Sequence, residues 1–96
     1  MEERENEQLE YKKTTAELKE GVISLASMLN KHGHGILYFG VKNDGSIFGQ
    51  QIGKDTTSNI SKEIKNYLRP VISPTITLLE INDKKIIKVE VYGEDK

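Results

Sequence analysis

The feature that most constrains this chain is the run at residues 36–41, Ile-Leu-Tyr-Phe-Gly-Val. It is almost wholly apolar, carries β-branched and aromatic side chains, and is too short for a buried helix, so it reads as a central strand. A central strand needs neighbours, and the rest of the chain supplies them. After it, Asn43-Asp44-Gly45 is a hairpin turn signal and Ser46-Ile47-Phe48 begins a return strand. Before it, Leu9 and Tyr11 alternate with Gln8, Glu10 and Lys12, the period of a short strand. Residues 76–81 and 86–91 are two further apolar runs of strand character, joined at Asn82-Asp83-Lys84 as a second hairpin.

Two segments have helical period instead. Thr14-x-x-Glu17 has the form of a capping box, and Leu18, Val22, Leu25 and Leu29 follow as one apolar stripe, widened by Ile23, Ala26 and Met28. Asn30, Lys31, His32 and Gly33 form the stop, since Asn and Gly tolerate positive φ. Thr56 to Ser58 offer N-caps for a second helix carrying Ile60, Ile64 and Tyr67 or Leu68, which ends at Arg69 because Pro70 follows. The order β-α-β-β-α-β-β predicts an α+β fold, a single mixed sheet with two helices on one face.

Ninety-six residues allow one domain, spanning residues 1–96, and no linker or internal repeat interrupts it. The absence of cysteine excludes disulfides and zinc–thiolate sites. No apolar stretch nears the ~20 residues of a membrane span, so the expectation is a cytoplasmic protein with no membrane partner. The net charge of −1 argues against a nonspecific polyanion binder, but the charge is unevenly placed. Residues 1–20 hold seven acidic and four basic side chains, whereas residues 31–69 hold six basic and three acidic. Lys62, Lys65 and Arg69 fall at i, i+3 and i+7 on the second helix, opposite Ile60 and Ile64, a row able to meet consecutive phosphates.

Other chemistries have weaker footing. Residues 49–56, Gly-Gln-Gln-Ile-Gly-Lys-Asp-Thr, are one residue short of a phosphate-binding loop, and Asp55 stands where a magnesium-holding hydroxyl belongs. Gly33-x-Gly35 precedes a strand rather than a helix, so it reads as a turn. His32 and His34 lack further His or Cys to complete a zinc site and read as exposed loop residues. None of the six serines sits in a nucleophile elbow. Glu5, Glu10 and Asp44 could hold Mg²⁺ or Mn²⁺ for phosphodiester cleavage if they converged. The odd offset from Glu5 to Glu10 puts them on opposite faces of an extended chain, with no Gly or Pro between them to bend it.

Taken in order, Glu10-Tyr11-Lys12, the run from Leu29 to Val41, and Asp44-Gly45-Ser46-Ile47-Phe48-Gly49 resemble the Schlafen AlbA-2 domain, once called a divergent AAA-type domain. The resemblance extends over nearly the whole chain, although His34 stands where a second glycine is usual. It implies an AlbA-like fold and a DNA-binding domain of a transcriptional regulator, N-terminal within a longer protein. Phosphate contacts are then expected from Lys62, Lys65 and Arg69, joined by Lys12, Lys13 and Lys42. Gly33, Gly35, Gly40, Gly45 and Gly49 would shape its turns. The animal relatives carry an endoribonuclease activity on three acidic residues, which map to Glu5, Glu10 and Asp44 and would need a divalent metal. The leading expectation is no cofactor and no catalysis. Pairing of the last hairpin's edge in a homodimer is a further expectation, with Lys84, Lys85 and Lys88 as candidate gatekeepers against it.

Overall fold

The computed structural model describes residues 1, 4–68 and 73–93. Arg69 and Pro70, which the sequence marks as the end of the second helix, lie outside them. Four strands form one mixed sheet in the order β1-β2-β4-β3. Strand β1 (Leu9–Lys12) leads through a 3-10 turn (Thr15–Glu17) into α1 (Leu18–His32) and then β2 (His34–Phe39). Helix α2 (Thr56–Tyr67) precedes a hairpin of β3 (Thr75–Ile81) and β4 (Lys84–Tyr92). The β1–β2 pair is parallel, with Tyr11 beside Tyr38, and the other pairs are antiparallel, with Phe39 beside Ile87 and Leu78 beside Ile87.

The main core lies between the sheet and the helices. Leu37 and Phe39 of β2, and Ile87, Val89 and Val91 of β4, meet Val22, Leu25 and Met28 of α1 and Ile60 and Ile64 of α2. Leu25, Leu37, Phe39, Ile60, Ile64, Ile87, Val89 and Val91 are completely buried, each contributing about 1.5–3 kcal/mol of apolar transfer. Gly35 makes the fit possible, because a Cβ there would sit 2.8 Å from Met28 Cβ. Its role is close approach of β2 to a helix rather than a turn.

The opposite face holds a smaller core of Leu9, Tyr11, Tyr38, Val41 and Ile86, bordered by Met1, Ile36, Ile47, Leu79 and Ile81. Strand β1 therefore turns its apolar side away from the helices and presents Glu10 and Lys12 to the helix layer.

Three local expectations are corrected. Thr14 caps the 3-10 turn through Ala16 N–H, at 3.1 Å, and no reciprocal box forms, because α1 starts only at Leu18 and Glu17 pairs instead with Lys12. No side chain caps α2: Thr56 Oγ1 accepts from Gly53 N–H and Ser58 Oγ donates to Asp55 O. The return strand after Asn43-Asp44-Gly45 shrinks to one bridge, Val41 with Ile47. Its partner side of β2 is taken by β1 and β4, so the arm folds back on residues 40–42 alone. The second hairpin has its two-residue turn at Asn82 (φ 52°) and Asp83 (φ 65°), the left-handed pair that matches strand twist.

Candidate nucleic-acid interface

The loop of residues 40–49 closes on itself by backbone bonds. Lys42 N–H donates to Ser46 O at 2.9 Å, and Phe48 and Gly49 N–H both donate to Gly40 O at 2.8 and 3.0 Å. Gly40, Gly45 and Gly49 take φ of 100°, 89° and 91°, and Gly33 takes 74° at the end of α1, so four of the five expected turn glycines use positive φ. The N-terminal ammonium of Met1 donates to Gly45 O. Gln50 fastens the far side, donating its N–H to Lys85 O and accepting from Thr15 N–H, at 2.8 and 2.7 Å. The loop is thus tied to three other segments.

This geometry fixes what the loop displays. In the 41–47 bridge Ile47 turns inward, which turns Phe48 outward on the side of Lys42. Phe48 is 43% exposed, a large fraction for an aromatic ring. Lys13 Nζ stands 4.9 Å from its centroid and Lys42 Nζ 5.6 Å. Beside it, the Lys84 stem packs over Gly49 and its ammonium reaches Ile47 O at 3.4 Å. Neither Lys13 nor Lys42 has a carboxylate within 4.0 Å among the described residues. The two cations and the ring therefore face solvent with no salt-bridge partner among the described residues, although Asp44 lies near enough to feel Lys42. An open cavity of about 410 Å³ beside them is lined by Lys13, Glu17, Lys42, Asn43 and Asp44.

The remaining expected contacts divide. Lys12 is not free: its ammonium lies 3.3 Å from Glu10 and 3.8 Å from Glu17 and faces the helix layer. Lys62 and Lys65 are exposed on α2, while Arg69, the third member of that row, lies outside the described residues.

The three carboxylates are not brought together. Asn6 bends the N-terminal segment, its Oδ1 accepting from Gln8 N–H at 2.7 Å and its backbone bridging Leu9. A bend without Gly or Pro is thus made by an asparagine side chain, and it carries Glu5 back along β1, where Oε2 accepts from Tyr11 N–H at 2.8 Å. Glu5 and Asp44 line one open cavity with Arg4 and Asn43, whereas Glu10 lies among other residues, accepting from Ser24 Oγ at 3.2 Å and pairing with Lys12. Asp44 is held below the usual carboxylate range mainly by the Ser46 hydroxyl and N–H, with Lys42 adding to the effect. It is an exposed turn residue. Among the described residues no three His, Asp or Glu side chains are grouped to hold a metal ion, so these donors do not fit the divalent site the resemblance implies.

At the other end of β2, His34 is a strand residue rather than a loop one. Its Nε2 lies 2.8 Å from Glu90 Oε2, the Tyr92 hydroxyl donates to the same oxygen at 2.7 Å, and the two rings stack at 4.6 Å. Lys88 adds its ammonium at 3.7 Å. These bonds hold Glu90 below the usual carboxylate range and raise Tyr92. His32, the last residue of α1, faces Glu7 at 3.4 Å. Sequence reasoning missed both this cluster and Phe48. The signal for Phe48 was the strand period itself: with Ile47 inward, its neighbour had to emerge beside Lys42.

Fold and loop together define a small α+β domain with a basic, aromatic-bearing loop at one end of its sheet. Residues 5–96 match the family described as Schlafen, AlbA_2, and the chain belongs to that family. None of the curated proteins matches it. Among solved structures it is similar to the solution NMR structure of the N-terminal domain of an ATP-dependent DNA helicase RecG-related protein from Nitrosomonas europaea. The TM-score is 0.65 at 20% identity, a likeness of fold, covering 95% of this chain and 66% of the other. Among the described residues no helix is long and apolar enough to cross a membrane.

Proposed function

We propose that this domain binds nucleic acid, DNA foremost, as the recognition module of a cytoplasmic transcriptional regulator, and that it binds without cleaving. The observation that carries this reading is the pair of ammonium groups without a salt bridge among the described residues, Lys13 and Lys42, over the exposed ring of Phe48. Lysines fix a backbone through phosphate contacts and release its counterions, while an exposed ring gives a base or sugar an apolar face. Lys62 and Lys65, one turn apart on α2, offer a second pair of phosphate contacts. Membership of the Schlafen, AlbA_2 family supports the reading, as does the likeness to a domain of a DNA helicase-related protein.

The test is a titration of labelled duplex DNA at several salt concentrations. The double variant Lys13→Glu, Lys42→Glu is expected to lose at least ~10-fold in affinity and to lower the salt slope by about two, one per phosphate lost. The variant Lys62→Glu, Lys65→Glu is expected to weaken binding less and uniformly across sequences. Unchanged affinity in both double variants would overturn the reading.

A further inference from the structure

The two edges of the sheet are finished differently. The outer side of β1 is occupied: Asn6 exchanges backbone bonds with Leu9, at 3.0 and 3.3 Å, and the Glu5 carboxylate takes up Tyr11 N–H. On the outer side of β3, no hydrogen bond is made to any of its seven residues among the described residues. Lys84, Lys85 and Lys88, expected as gatekeepers, all belong to β4, which is an inner strand. They do not guard the edge, and β3 itself carries neither Lys nor Pro.

We infer that β3 pairs with β3 of a second copy of this chain, antiparallel and about a two-fold axis at Leu78. The register follows from the hairpin. Its two-residue turn makes Ile81 and Lys84 a bonded pair, so in the alternation of an antiparallel ladder Ile76, Leu78 and Glu80 direct their N–H and C=O outward. Pairing about Leu78 sets Leu78 against its own mate and Ile76 against Glu80, which satisfies every outward group. Glu80 is the only charge on β3, and this register places it opposite an isoleucine rather than its own copy. The side chains agree: Leu78 is 52% exposed, unusual for leucine in a strand, and with Ile52 it lines a hollow of about 180 Å³ that the mate's leucine would cover. Seven-residue edges bury less than the ~1,200 Å² of a stable interface, so the dimer is weak.

Sedimentation of the 96-residue chain from about 10 µM to 1 mM should show the mass rise from 10.9 kDa toward twice that value. Leu78→Lys, a change at an exposed position, should keep its circular dichroism and stay monomeric. Amide exchange at Leu78 and Glu80 should slow with concentration, while that of Thr77 and Leu79, already bonded to β4, should not. A monomer at every concentration would overturn the proposal. So would a dimer that survives Leu78→Lys with the Leu78 and Glu80 amides unaffected.

Discussion

The two ends of β2 carry similar residues in opposite states. At its start, His34, Tyr92 and Lys88 all meet the Glu90 carboxylate within 3.7 Å, so the anion is paired locally. At its end, Lys13 and Lys42 crowd one ring, with no carboxylate within 4.0 Å among the described residues. Both ends expose an aromatic, Tyr92 at 58% and Phe48 at 43%. Exposure therefore does not distinguish them. The state of charge pairing does: the first end holds strands together, and the second is the end that the proposed binding of nucleic acid would use. Across a chain of net charge −1, location and partnering of lysines carry the information that the total hides.

The largest expected effects come from the glycine at each end. At Gly40, with φ 100°, a Cβ would stand 3.0 Å from Ile86 Cγ2 and 3.2 Å from Lys85 O, so Gly40→Ala should cost about 3 kcal/mol and shift the loop. At Gly35 the clash is with Met28 in the core, and Gly35→Ala should cost about 2 kcal/mol. Denaturant titration should find both destabilised. Only Gly40→Ala should also reduce DNA affinity when measured under conditions where the protein is folded. Equal loss of affinity in both would erase the functional difference between the ends.

Smaller effects separate the two carboxylates. The folded state lowers Glu90 below its usual value of 4.5, first through His34, then through Tyr92. A lowered carboxylate adds stability that is present above pH 4.5 and lost as pH falls through the folded value. Glu90→Gln should therefore cost about 1 kcal/mol near neutral pH and flatten the fall of thermal stability as pH drops below about 4.5. Asp44 is lowered from 3.8 by Ser46, but it is exposed at a turn tip, so Asp44→Asn should change the same curve less and at lower pH. A larger acid effect from Asp44 would make the loop end the structurally paired one.

Much of the fold was legible because it rests on local periodicity. The 36–41 run, the α1 stripe and the Asn82-Asp83 turn declare themselves within a few residues of chain. What was not legible depended on competition between distant segments. Ser46-Ile47-Phe48 has strand residues, but β1 and β4 already flank β2, so one bridge is all that remains. The cation row was readable only as spacing. Spacing does not reveal that Lys12 is neutralised by Glu10 and Glu17, or that Lys13 and Lys42, 29 positions apart, share a ring. The bend at Asn6 was missed because its cause is a side-chain oxygen bonding two residues on, not a special backbone residue.

The most direct measurement is nuclear magnetic resonance mapping of backbone amides while a short DNA duplex is titrated into the 96-residue chain at low salt. Progressive shifts are expected at Lys13, at residues 40–49 and at Lys84, with residues 34–35 and 90–93 unmoved at the opposite end of the sheet. Shifts confined to His34, Glu90 and Tyr92, with the Phe48 loop silent, would contradict binding through the Lys13–Lys42–Phe48 end.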